Sequence, residues 1–167
     1  MLTGHPPLYL ASKSPRRHDL LRAAGISFKV IDIDVPEDHP ADMEVEDIPL
    51  YLARKKAEAA IPLIDHDSLV LTADSVVILD DRIYGKPLDN DEAMQMISAL
   101  AGRHHLVITG VFIGNHKHGV GFSDYTSVWI EPMSADEIEY YVRTFPPLDK
   151  AGAYGIQDWI GWTKVSR

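Results

Sequence analysis

Residues 10–21 read LASKSPRRHDLL, and this short stretch carries a fold signal and a conflict together. Residues 8–12 read as a strand, and residues 15–24 as a helix that Gly25 ends. Ser14 stands at the N-cap and Pro15 at the first helical position, both suited to those places. A strand passing directly into a helix is a unit of α/β folds. The conflict is electrostatic. Arg16 and Arg17 fall in the first helical turn, where the macrodipole disfavours a cation by roughly a few tenths of a kcal/mol each. A bound anion would turn that penalty into charge-assisted hydrogen bonding. The place suits one, because open α/β sheets bind ligands beyond the carboxyl ends of their strands, against the next helix's N-terminus. The competing reading turns both guanidiniums into solvent or onto Asp19 or another acid.

Working outward, FKVIDIDV (28–35) alternates in polarity as a second strand would. Residues 36–47 are acidic, contain proline and read as a loop. Asp47 caps a helix that has Pro49 near its start and runs through YLARKKAEAA to Pro62. SLVLTADSVVIL (68–79) reads as a strand interrupted by a carboxylate at Asp74, and Asp80-Asp81 supplies a turn. Asp89 and Glu92 form a D-x-x-E capping pattern for a helix that stops before Gly102. Residues 104–114 and 120–130 read as an antiparallel pair around Asn115–Gly119. Ser134 and Glu137 make a second capping box, for a helix reaching Phe145 and broken by Pro146-Pro147. DKAGAYGIQDWIGW (149–162) holds three glycines and has no clear periodicity. No repeat, low-complexity tract or long linker appears, so one mixed-sheet α/β domain is expected over residues 1–167.

Composition narrows the partners. The 167 residues are 46% hydrophobic, enough for a real core. With 16 Lys+Arg against 25 Asp+Glu the net charge is −9, which argues against a nucleic-acid polymer. A small anion needs only a local basic cluster. With no cysteine, disulfides and thiolate metal sites are excluded. MLTGHPPLYLAS has neither the charged start nor the apolar core of a signal peptide, and no apolar run approaches membrane-span length. The expectation is a cytoplasmic protein without a membrane partner.

Several residues stand out chemically. A charge inside an apolar strand is costly unless paired, so Asp74 should meet a metal, a cation or a substrate proton. The plainer alternative ends the strand there in a bulge. Lys86 sits in a constrained turn, Tyr84-Gly85-Lys86-Pro87. Arg54, Lys55 and Lys56 share one helix but point in different directions, so one or two at most could face a site. Asp32, Asp34, Glu37 and Asp38 could supply hard oxygen ligands to Mg²⁺. The eight histidines lack the H-E-x-x-H spacing, which argues against a zinc enzyme. No G-x-S-x-G, Walker A or G-x-G-x-x-G pattern occurs.

ASKSPRRHDLL (11–21), ARKKA (53–57), TADSVVILDDRIYGKP (72–87), ISALAGRHHLVITGV (97–111) and DKAGAYGIQ (149–157) together resemble, in order, the Maf family. Its members are named for septum formation and recognised as nucleoside triphosphate pyrophosphatases. The resemblance implies an elongated Maf/ITPase-like α/β fold, with helices flanking a mixed central sheet and two lobes around a nucleotide cleft. Members are often dimers, so a homodimer is among the expectations. It also implies hydrolysis of a nucleoside triphosphate to the monophosphate and pyrophosphate with a divalent metal, Mg²⁺ or Mn²⁺. Position by position, Ser12, Ser14, Arg16 and Arg17 become the phosphate loop, and Lys56 and Lys86 the lysines that hold phosphates. Asp74 matches the aspartate of an A-D-T/S motif, as metal ligand or as base for the attacking water. Gln157 matches the glutamine of a G-I-Q motif, near the base and phosphates. A family carboxylate after the second strand falls on Glu37, with Asp34 as a competing register. Arg16 and Gln157 resemble the branch that takes dTTP and UTP, whereas Ser75 stands where that branch usually has Thr. Family members continue into a segment ending N-V-x-G-L-P, expected to be absent because this sequence stops at Arg167. Two further readings stay open: a non-enzymatic nucleotide-binding regulator of cell division, and the same reaction on a purine or modified-base nucleotide.

Overall fold

A computed structural model describes residues 6–167, so residues 1–5 of the expected domain lie outside the described residues. The chain is mixed α/β. Among the described residues the strands are β1 (Leu8–Leu10), β2 (Lys29–Val30), β3 (Leu69–Leu79), β4 (Arg82–Tyr84), β5 (His104–Gly114) and β6 (Gly119–Trp129). The α-helices are α1 (Pro15–Ala23), α2 (Ile48–Ala60), α3 (Asn90–Leu100), α4 (Ala135–Thr144) and α5 (Trp159–Thr163). The strands form one mixed sheet in the order β2-β1-β3-β5-β6, with β4 on β3. β1 runs parallel to both β2 and β3, while β4 is antiparallel to β3.

Two compact units make up the chain: Met1–Asp74 with Thr109–Asp124, and Ser75–Ile108 with Tyr125–Arg167. The first has a core of Ala11, Ala57, Ala60, Ile64 and Val70. The second has a larger one, in which Ile97, Leu100, Tyr141, Val142 and Ile160 pack with Val77 and Leu79.

In the first unit α2 lies close to the sheet for a steric reason. A Cβ on Gly110 of β5 would stand 2.2 Å from the Leu50 nitrogen, so only glycine admits the first turn of α2 there. Ala53 and Ala57, both fully buried, keep the approach tight, and the buried Thr72 hydroxyl of β3 donates to the Ala53 carbonyl at 2.7 Å. The face of α2 carrying Lys56 is thereby fixed against β3.

Local signals in the sequence are met unevenly. Ser134 forms the full capping box with Glu137, and Asp89 accepts from the Glu92 amide. Ser14 and Asp47 occupy cap positions, but neither side chain makes a capping bond. The expected strand 28–35 shortens to two residues, in register with Tyr9 and Leu10. Its alternation survives in burial: Ile31 and Ile33 pack partly against the first core while Asp32 and Asp34 are exposed. Polarity alternation reports which side faces inward, and that requires no ladder of hydrogen bonds. The sequence reading also missed β4 and α5. Asp80 and Asp81, with φ of 51° and 59°, make the two-residue turn that folds β4 back onto β3.

Candidate active site

α2 delivers Lys56 to β3, where its ammonium donates to Asp74 Oδ1 at 2.5 Å and to Glu37 Oε1 at 2.9 Å. Asp74 is 8% exposed, so a charge in the middle of an apolar strand is answered by a cation from the neighbouring helix. Lys55, one residue away, points elsewhere and pairs with Asp38 at 2.6 Å. Glu37 is the loop carboxylate that pairs with Lys56, at 2.9 Å.

The join between β1 and α1 supplies the second cation. Arg17 turns back from the first helical turn, and its Nη1 donates to the Ala73 carbonyl at 2.6 Å and to Ser12 Oγ at 3.3 Å. Ser12 Oγ also accepts from the Ser14 amide at 3.2 Å, and the His18 ring contacts the Ser12 carbonyl at 2.7 Å. Arg17 therefore lies on the residue preceding Asp74, instead of bending into solvent. Ser14 and Arg16 are half-buried beside it.

Burial pushes the Asp74 carboxyl above its ordinary value, and Glu37 adds to the rise while Lys56 and Arg17 oppose it. Burial alone would lower Lys56, but Asp74 and Glu37 together outweigh it and hold the ammonium above its ordinary value. Burial also lowers Arg17, with Asp74 opposing and Arg16 assisting. A guanidinium remains cationic regardless. The chemical content is a buried carboxylate of raised basicity, held by one lysine and faced by one arginine. Such a carboxylate can take a proton, and the cations can oppose developing negative charge.

The second unit holds Ser75, Lys86 and Gln157. Ser75 follows Asp74 on β3 and is half-buried, and Lys86 and Gln157 are exposed. The segments carrying the last two meet backbone to backbone, the Gly152 amide donating to the Gly85 carbonyl at 3.0 Å. Sequence reasoning missed Thr72, Tyr141, Lys150 and Asp158 as supports. Tyr141 and Asp158 lie 17 residues apart on different elements, and no spacing rule connects them.

As carboxylate oxygens converging on one ammonium, Glu37 and Asp74 fit a hard divalent cation such as Mg²⁺ or Mn²⁺, which is commonly held by one or two carboxylates and substrate phosphates. Among the described residues no cluster of three or more His, Asp or Glu forms a complete protein cage for a metal.

The fold is shared with the structure of the Staphylococcus aureus Ham1 protein, at a TM-score of 0.51 and 16% identity over 74% of this chain and 71% of that one. Among sequences, a protein of Porphyromonas gingivalis called dTTP/UTP pyrophosphatase is 44% identical over 163 residues, covering 96% of this chain and 82% of its own. One of the same description from Parabacteroides distasonis is 45% identical over 159 residues, covering 95% and 82%. The class is thus an α/β fold with an acid–lysine–arginine site. Residues 7–167 match the Maf-like protein family, and this chain belongs to it.

Proposed function

We propose that this chain is a nucleoside triphosphate pyrophosphatase that converts dTTP and UTP to the monophosphate and pyrophosphate. One observation carries the reading: a buried Asp74 of raised basicity, bound to Lys56 beside Glu37 and next to the carbonyl that Arg17 holds. The relatives called dTTP/UTP pyrophosphatases support the choice of pyrimidine nucleotides.

In the reaction a water oxygen bonds to the α-phosphorus as the bond from that phosphorus to the bridging oxygen of the β-phosphate breaks. Asp74 takes the proton that the water loses, for which its raised basicity suits it. Lys56 and Arg17 oppose the charge that builds on the phosphates as pyrophosphate leaves. On the same reading Ser12, Ser14 and Arg16 complete the phosphate loop, and the family resemblance assigns Lys86 to phosphate and Gln157 to the nucleotide. Glu37 and Asp74 would hold Mg²⁺ or Mn²⁺, which when bound polarises phosphate oxygens and acidifies water. Ser75 is assigned to substrate binding. A cytoplasmic nucleotide-clearing role, with a homodimer as the assembly, belongs to the same reading. Among the described residues no helix is long and apolar enough to cross a membrane.

The test is pyrophosphate release from each NTP and dNTP with Mg²⁺, then after chelation, and after Mg²⁺ or Mn²⁺ is restored. Release from dTTP and UTP, lost on chelation, is expected. Release from purine nucleotides instead would move the substrate, and nucleotide binding without release would favour a non-enzymatic regulator.

A further inference from the structure

The second unit contains a buried polar cluster that the proposed chemistry does not use. Tyr141 of α4 is fully buried, and its hydroxyl donates to the Asp158 carboxylate at 2.9 Å from one oxygen and 3.0 Å from the other. The same hydroxyl accepts the Gly155 amide at 3.1 Å. Lys150 donates to Asp158 Oδ2 at 2.8 Å, and its ammonium stands 5.8 Å from the centre of the Tyr141 ring. A Cβ on Gly155 would lie 2.7 Å from Asp158 Oδ2, so a larger residue there would push the carboxylate out of this arrangement.

What these bonds enclose is informative. Gly155 and Asp158 flank Ile156 and exposed Gln157, and both are tied to one hydroxyl that cannot move because its ring lies in the core. The turn has no sheet ladder or long helix to hold it, so its shape depends on the cluster. An ion pair buried at this depth is a poor source of stability, but each partner is costly to leave alone, so the pair holds Asp158 against Lys150. A group that must meet a ligand needs such support, because misplacement by about 1 Å can cost on the order of a hundredfold in rate.

We infer that Tyr141, Lys150 and Asp158 are positioning residues that fix the Gln157 turn for nucleotide recognition. The inference rests on the pyrophosphatase reading, through the role of Gln157. Removing the Tyr141 hydroxyl frees the Gly155 amide and half of the Asp158 anchoring while leaving the ring in place.

The experiment compares wild type, Tyr141→Phe, Gln157→Ala and the double variant, reading kcat and KM for UTP together with amide exchange. Tyr141→Phe is expected to speed exchange at Gly155 about tenfold and to raise KM about tenfold with kcat changed less. In the Gln157→Ala background the same substitution should change KM by less than about twofold, the mark of action through Gln157. Lys150→Met should reproduce the KM effect and Lys150→Arg should restore it; if Tyr141→Phe folds poorly, Asp158→Asn, which keeps the side chain's shape and an acceptor for the Tyr141 hydroxyl, is read in its place. Equal losses in both backgrounds, or unchanged exchange at Gly155, would overturn the positioning role even in an active enzyme. A folded wild type releasing no pyrophosphate from any nucleotide would instead overturn the proposed function, and this role with it.

Discussion

Lys56–Asp74 in the first unit and Lys150–Asp158 in the second are chemically the same pair, and all four side chains are between 11% and 15% exposed. Their third partners differ. Lys56 is shared with Glu37, a carboxylate half open to solvent, whereas Asp158 is shared with Tyr141, a neutral hydroxyl sealed in the core. In the second unit the carboxylate takes bonds from both the ammonium and the hydroxyl, and the hydroxyl also takes the Gly155 amide. In the first, one ammonium serves two acids, and a metal or phosphate could replace any of these bonds. A buried ion pair is thus not read from its own two residues. The group that completes it decides whether it holds structure or exchanges partners.

Breaking the pairs should separate these roles. The largest effect is expected for Asp74→Asn, which keeps the shape but removes the base: kcat should fall about 10²- to 10⁴-fold with nucleotide binding retained. Pyrophosphate release and a binding titration on the same preparation check this. Lys150→Met strands Asp158 in a closed environment, and urea unfolding should show a loss of about 3–5 kcal/mol. Lys56→Met strands the equally buried Asp74 carboxylate, so it should cost a comparable about 3–5 kcal/mol in the same urea experiment and abolish turnover as well.

Acid should distinguish the units as well. Burial raises the Asp74 carboxyl, so in the metal-free protein its protonation on acidification, followed by NMR, should set in above the ordinary aspartate value of 3.8. In the second unit burial, helped by His104, lowers the His105 imidazole to about 4. Its Nε2 lies 2.7 Å from the Tyr154 hydroxyl, and its Nδ1 has no hydrogen-bond partner among the described residues. The unfolded chain takes up this proton near the ordinary imidazole value of 6.5 and the folded chain only near 4. The His105 contribution is therefore complete above about 6.5 and is lost as pH falls toward 4, at no more than about 1.4 kcal/mol per pH unit. Urea midpoints at pH 7, 6 and 5, set against His105→Gln, would show the difference in slope. The smallest effect is expected for Lys55→Ala, whose partner Asp38 is an exposed side chain, with no measurable change in the urea midpoint.

The legible parts of the sequence were those with a local cause. Ser134 with Glu137, Asp89 with Glu92 and the Asp80-Asp81 turn each act within a few residues, and all three appear in the structure. The misplaced charges were legible for a different reason: Asp74 in an apolar strand and Arg17 at a helix start were anomalies requiring partners, and Lys56 and the Ala73 carbonyl are those partners. Glu37 could not be separated from Asp34, because only the path of an irregular loop decides which acid reaches α2. The Tyr141 cluster was hidden altogether. Its residues look ordinary in sequence, and the one hint was a glycine-rich stretch without periodicity, bounded by a lysine and an aspartate. Five-residue α5 and three-residue β4 were below the length at which periodicity carries information.

Helix α1 has no buried residue, and Leu20 on it is 61% exposed. A helix without a packed face lacks the usual reason to stay where it is. Arg17 on Ala73 and Ser12, and His18 on Ser12, tie it to the strand ends. Its unfolding is therefore a local event of low cost, separable from the melting of either core. The free energy holding α1 down flows through the same side chains that would greet a phosphate, so occupancy of the site and order of the helix are one equilibrium seen from two ends.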